Sequence, residues 1–432
     1  MDTCDDIIKI TEQMQKEIKE TSTQHLSSAE NTTEPLEDTF DIITPEEIED
    51  IKEAISTQDL PTTIKVINNV LEQQGRVELN IAVTGESGSG KSTFVNAFRG
   101  LGDEEEGAAL TGVVETTIVP KVFPHPKYKN VKIWDLPGIG TPNFKASEYL
   151  EQFPFKCYDF FIIIASDRFK ECHTKLAREI IKIEKKFYFV RSKIDCSITA
   201  EKRKMNFDQN KTLNVIRKEC ERELTKIGIE APVVFLLSSW DLGKYDLNLL
   251  QERMEKDLSK HKRHVLMLAI PNITMEINEK KRKALEEQIH KVAMLSACVA
   301  AVPLPGLSFA VDLSIVGNEI EKYYSAIGLD NSSLQMICEK SGKTIEELKS
   351  VMKSPLHCGI NSTTILNLLG TASLYVTANA VEYVCSLIPV LGSVAAGGIS
   401  YLTVKRMLIN ALDELAEDAR NVLLAALETK EM

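Results

Sequence analysis

Residues Gly85-Glu86-Ser87-Gly88-Ser89-Gly90-Lys91-Ser92 form a complete G-x-x-x-x-G-K-[ST] loop. It lies between the strand-like run Val77-Glu78-Leu79-Asn80-Ile81-Ala82-Val83-Thr84 and the helically spaced Ser92-Thr93-Phe94-Val95-Asn96-Ala97-Phe98. That order commits the segment to a strand–loop–helix unit, the context this loop requires. Its glycines let backbone N–H groups converge on phosphates, and the helix behind it presents a positive N-terminus. Gly85 to Ser92, with Thr93, are therefore candidate phosphate-binding residues. Lys91 is expected to reach the β- and γ-phosphates, and Ser92 to place its hydroxyl on Mg²⁺. The motif implies a nucleoside triphosphate and leaves the base open.

The base is narrowed by the apolar strand Phe187-Tyr188-Phe189-Val190, which runs into Arg191-Ser192-Lys193-Ile194-Asp195, a match to [NTS]-K-x-D. Asp195 is placed to accept hydrogen bonds from N1–H and the 2-amino group of guanine, a donor pair that adenine lacks. A carboxylate left unpaired by the wrong base is costly, so polar satisfaction supplies the discrimination. The stem of Lys193 is expected along the base. Between the two motifs, Val131-Lys132-Ile133-Trp134-Asp135-Leu136-Pro137-Gly138 ends an alternating strand in D-x-x-G. Asp135 is expected to hold Mg²⁺ through water and the Gly138 amide to meet the γ-phosphate. After the strand Val233-Val234-Phe235-Leu236-Leu237, Ser238 and Ser239 can offer amides to guanine O6. Thr111, Thr116 and Thr117 compete for the remaining Mg²⁺ contact, and position alone does not choose among them. Ile139 stands where many small GTPases carry the glutamine that orients the attacking water.

These motifs, together with Trp-Asp-Leu-Pro-Gly-Ile-Gly at 134–140, Tyr-Asp-Phe-Phe-Ile-Ile-Ile at 158–164 and Ile-Pro-Asn-Ile-Thr at 270–274, resemble the immunity-related GTPases. The resemblance spans roughly residues 45–432 and is densest over 78–275. It implies a dynamin-like, interferon-inducible protein of cell-autonomous defence that binds GTP or GDP with Mg²⁺. It also implies that Thr111 is the switch threonine, ligating the metal with Ser92 and Asp135. Glu115 matches the switch glutamate implicated in hydrolysis within a GTP-bound dimer, and Lys91 places the chain with the effector-like GKS members. The catalytic set implied is Glu115, Lys91 and Thr111.

The 432 residues suit two or three domains. The formal charge of −12 is concentrated in residues 1–50, which hold fifteen acidic side chains against three lysines, and the rest balances. A neutral body with an acidic arm argues against a nucleic-acid partner, which would need a basic face. The strongest basic cluster, Lys260-His261-Lys262-Arg263-His264, reads as a solvated helix end, or as a docking site for anionic lipid. Nine single cysteines without a C-x-x-C pair, and no signal peptide, suggest a reducing cytoplasmic setting. Asp2 excludes N-myristoylation, and the terminal Lys-Glu-Met is no prenylation box.

Along the chain, residues 1–43 read as an acidic, disordered extension. Residues 44–74 read as N-terminal helices, opened by Thr44-Pro45-Glu46-Glu47. In 75–262, strands alternate with helices such as Thr174–Lys185 and Asn206–Ile227, the pattern of an α/β nucleotide domain with a mostly parallel sheet. Residues 263–432 are helical, with Met275–Lys291 charged and Ala411–Leu427 amphipathic. They are expected to join the N-terminal helices in one all-α domain. Val292–Val311, Cys358–Val381 and Tyr383–Val404 carry no charge. Pro303, Pro305 and Gly306 are expected to split the first run; Pro389, Gly392, Gly397 and Gly398 are expected to split the last. That favours buried bundle helices over reversible membrane insertion or true spanning. The functional expectation is GTP hydrolysis stimulated by self-association, on intracellular membranes with which the protein is peripherally associated. The alternative is a non-catalytic switch loaded by GTP.

Overall fold

The structure, a computed structural model, describes residues 47, 50–51, 53–54, 60–73, 77–112, 119–139, 155–300, 307–361, 363–365, 367–368 and 392–428. In chain order the elements are α1 (Leu60–Gln73), β1 (Leu79–Gly85), α2 (Lys91–Phe98), β2 (Lys121–Pro124), β3 (Val131–Asp135) and β4 (Phe160–Ala165). Then come α3 (Glu171–Lys182), β5 (Lys186–Arg191), α4 (Ile194–Glu201), α5 (Gln209–Lys226), β6 (Val234–Leu236), α6 (Leu247–Asp257) and α7 (Lys260–Ala269). The chain continues through α8 (Met275–Ala300), α9 (Leu307–Ala326), α10 (Asn331–Ser341), α11 (Ile345–Ser350) and α12 (Gly392–Leu427). They fall into two compact units, one of residues 76–277 with 332–343, the other of the remaining chain.

The first unit is built on one six-stranded sheet in the order β2-β3-β1-β4-β5-β6. Only β2 is antiparallel, to β3. Both faces are covered at the centre, so β1 and β4 are buried at every position and do not alternate. Leu79, Ile81 and Val83 of β1 join Phe94 and Phe98 of α2, and Val265 and Leu266 of α7, in one core. Ala82 joins Phe161 and Ile163 of β4, Leu176 and Ile180 of α3, and Leu224 of α5 in the other. Val83 pairs with Asp135, Gly85 with Ile164, Ala165 with Arg191, and Arg191 with Leu236. The loops after β1, β3, β5 and β6 therefore leave one edge of the sheet, where open α/β sheets take their ligands.

The expected boundary at 262 moves, because α7 places Val265, Leu266 and Ala269 in the sheet core, and that core continues to Ile277. The cluster at 260–264 is the start of a helix and not its solvated end. His264 is buried, Lys262 is bonded to Asp159, and the Arg263 Nε donates to the Glu255 carbonyl at 2.9 Å. The helix expected at Thr174–Lys185 lies one turn earlier, leaving Lys186 to open β5.

The second unit is helical, with α9 in contact with both α1 and α12. Lys291 of α8 forms a buried ion pair with Glu47, at 3.1 Å. Helix α12 runs unbroken through Gly397 and Gly398, contrary to the expected split. Two glycines cost a helix roughly 1 kcal/mol each, which 36 residues of helix absorb. The expected breaks at Pro303–Gly306 and Pro389, and residues 362, 366 and 369–381 of the second uncharged run, lie outside the described residues. Among the described residues, no helix is long and apolar enough to cross a membrane.

Candidate nucleotide site

The loop after β1 turns on glycines for stated reasons. Gly85 has φ 146°, and a Cβ there would stand 2.0 Å from the Ile164 carbonyl oxygen. Gly90, at φ 91°, opens α2 with no side-chain cap, which leaves that helix end to a ligand. The buried Lys91 ammonium crosses the loop and donates to the carbonyls of Gly85 (3.2 Å) and Glu86 (2.9 Å). One residue on, the Ser92 hydroxyl donates to Asp135 Oδ2 at 2.7 Å. A hydroxyl and a carboxylate in contact are the hard oxygen donors a Mg²⁺ ion prefers, so the residues fit that cation. Ser87 and Gly88 are exposed at the lip, Thr93 is half-buried, and the Ser89 hydroxyl is buried without a hydrogen-bond partner.

The element after β5 clasps this loop. Ser192 Oγ donates to the Ser89 carbonyl at 2.7 Å, and Lys193 Nζ to the Gly88 carbonyl at 2.8 Å. Lys193 takes a left-handed conformation (φ 53°) that starts α4 and sets Asp195 in its first turn. One Asp195 oxygen, Oδ1, is buried and has no hydrogen-bond partner, the state of an acceptor awaiting donors. The Ile194 amide donates to the Leu237 carbonyl at 3.2 Å, which brings the end of β6 alongside. Ser238 is fully buried and its hydroxyl accepts from the Asp241 amide, while Ser239 is half-buried.

After β3, the Leu136 amide donates to Val83 and the Ile139 amide to Gly85, each at 2.9 Å, so D-x-x-G is stitched to the phosphate loop. The Ile139 side chain, 1% exposed, is part of the core shared with Leu136 and Phe161. Gly138 remains half-buried at the surface.

A family model described as "Interferon-inducible GTPase (IIGP)" matches residues 44–426. The chain belongs to the interferon-inducible GTPase family. "Interferon-inducible GTPase 5" of Bos taurus is 40% identical over 399 residues, 91% of this chain and 85% of that one. "Interferon-gamma-inducible GTPase 10" of Mus musculus is 40% identical over 73% of this chain and 76% of its own. "Immunity-related GTPase family M protein 1" of Mus musculus is 30% identical over 76% and 78%. The guanine nucleotide and the GTP hydrolase activity follow from membership.

In this interferon-inducible GTPase the structure does not unite every expected residue. Thr111 is half-buried and makes no hydrogen bond to Ser92 or Asp135, and Glu115, Thr116 and Thr117 lie outside the described residues. Glu86, expected among the nucleotide contacts, turns its side chain away from the loop. Its carboxylate meets Lys170 Nζ at 2.7 Å and His173 Nε2 at 3.4 Å.

Sequence reasoning missed Asn96 on α2 and Arg99 at its C-terminal cap. Asn96 Nδ2 donates to Asp103 and to the Ala109 carbonyl, and its Oδ1 accepts the Ala109 amide at 2.6 Å. Arg99 donates to the carbonyls of Gly107 and Pro124. The pair fixes the stretch that leads to Thr111. The available signal was two polar side chains, Asn96 and Arg99, at helical spacing within and just after the apolar run 94–98.

Proposed function

We propose that this GTPase hydrolyses GTP in a self-associated state on intracellular membranes, with the partner copy completing the site. The phosphates rest on the loop 85–92, with Lys91 facing the β- and γ-phosphates and Asp195 accepting from guanine beside the Ser238 and Ser239 amides. Ser92 and Thr111 would hold the metal directly and Asp135 through water. Bound there, Mg²⁺ supplies charge neutralisation at the transferring phosphoryl group. Lys91 stabilises the charge that develops on the phosphoryl oxygens. Asp195 and the Gly138 amide orient the two ends of the nucleotide.

The observation that carries this reading is Ile139. Its side chain is committed to the core and has no polar atom, so it cannot position the attacking water. A group brought by a second copy supplies what is missing, with Glu115 the residue that acts across the contact. Such a contribution is worth about 10³–10⁵ in rate, or about 4–7 kcal/mol of barrier.

Single-turnover hydrolysis measured from nanomolar to tens of micromolar protein is expected to accelerate with concentration. Glu115→Ala is expected to keep GTP binding and lose that acceleration. A rate constant independent of concentration overturns self-activation. Membrane action is tested separately by flotation with liposomes in the GTP and GDP states.

A further inference from the structure

Glu86, Cys172 and His173 bring an oxygen, a sulfur and a nitrogen donor within 4.8 Å of one another, the composition of a transition-metal site. The hydrogen bonding rules that role out. The backbone N–H of Lys170 donates to His173 Nδ1 at 3.1 Å, so the neutral ring carries its proton on Nε2, the nitrogen that faces Glu86. The lone pair a metal would need is occupied. Burial holds His173 neutral, its pKa lowered to about 4 despite the opposing pull of Glu86. The cluster is therefore a clamp on a carboxylate: Lys170 Nζ on one oxygen and the Cys172 thiol (3.7 Å) on the other, with the neutral His173 ring packed 3.4 Å away and no hydrogen bond from its Nε2.

What the clamp holds is the base of the phosphate loop. The carbonyls of Gly85 and Glu86 are the two acceptors that fix the Lys91 ammonium. Gly85 is also pinned by the Ile139 amide, and the Glu86 carbonyl accepts from the Ser89 amide at 3.2 Å. Displacement of residue 86 is thus transmitted to Lys91 by one direct hydrogen bond. The Glu86 side chain is 9% exposed, whereas that of Lys170 is 52% exposed, so the clamp is buried at the loop and open to solvent at Lys170.

We propose that Glu86 is a positioning residue for GTP hydrolysis: held by Lys170 and Cys172, it fixes two carbonyls that set the Lys91 ammonium against the phosphates. The start of α3 thereby acts on the reacting end of the nucleotide without touching it. The inference rests on the reading of Lys91 as the phosphate-facing cation.

The test compares Glu86→Gln and Lys170→Met with the parent full-length chain, measuring GDP affinity, single-turnover GTP hydrolysis and thermal unfolding. Glu86→Gln keeps the shape and removes the charge. It is expected to slow hydrolysis by about tenfold or more, the scale of a sub-ångström misplacement, with GDP affinity changed by less than about threefold. Lys170→Met is expected to act in the same direction and more weakly, and the double variant to be no slower than Glu86→Gln alone. A Glu86→Gln rate equal to the parent's overturns the proposal, as does a loss of rate and affinity together in step with stability. Should Glu86→Gln fail to fold, Lys170→Met decides, and an unchanged rate there overturns the proposal. Lys91→Ala is the separate control: if it binds GTP as tightly as the parent, the underlying reading of Lys91 falls instead.

Discussion

Asp195 keeps a buried carboxylate oxygen without a partner, and that cost is recovered when a base supplies two donors. Asp195→Asn replaces an acceptor by a donor, so it is expected to weaken GTP by about 100-fold (about 3 kcal/mol). It is expected to favour a purine with a carbonyl at C2, read by competition between labelled and unlabelled nucleotides; unchanged preference would remove Asp195 from the base contact. Gly85→Ala tests the other end of the site. Its Cβ would meet a main-chain oxygen at 2.0 Å at a φ of 146°, and backbone cannot step aside as a side chain can. A loss of at least about 3 kcal/mol is expected in urea denaturation. The strand–loop–helix setting of Gly85, Lys91 and Ser92 was legible because it arises within a few residues of chain. The Glu86 side chain was not, because Lys170, its partner, lies 84 positions away.

Helices α3 and α7 each bury one histidine. Burial lowers the pKa of His173 to about 4, aided by Lys170 and Arg191 and opposed by Glu86. His264 is lowered to about 4 by burial and by His261 and Lys260. An unfolded histidine titrates near 6.5, so between about 4 and 6.5 the unfolded chain takes up protons that the folded chain refuses. Stability is therefore complete above pH 6.5 and falls with pH through that window, by roughly 2–3 kcal/mol for each histidine at its lower end. Urea midpoints at pH 7.5 and 5 are expected to show this, and His264→Leu is expected to remove its share of the slope. If His173→Gln/His264→Leu keeps the full pH slope, the dependence lies elsewhere. That 260–264 belongs to a helix terminus was legible, but not which end of the helix it is or which face is buried. Lys262 is committed to Asp159, a partner 103 residues earlier, and without that knowledge five basic residues read as solvent-facing.

The two compact units differ in what stabilises them, and the chain provides a separate reporter for one. Both of its tryptophans, Trp134 and Trp240, lie within residues 76–277, so tryptophan fluorescence reports the nucleotide unit alone. Far-UV circular dichroism reports helix in both units, so the helical unit appears in it as a transition that tryptophan fluorescence does not follow. GDP at a hundred times its Kd adds about 2.7 kcal/mol to the unit that binds it. In the helical unit, Lys291 and Glu47 have side chains only 4% and 9% exposed. Removing one charge of a buried pair leaves the other uncompensated, at a cost of about 3–5 kcal/mol, whereas replacing both with apolar groups is far milder. GDP is therefore expected to shift the fluorescence transition and leave the helical one in place. Glu47→Leu is expected to move only the circular-dichroism transition, with Glu47→Leu/Lys291→Leu recovering most of it. If GDP and Glu47→Leu each move both signals together, the chain unfolds as one cooperative body, and the division into independently stabilised units is wrong.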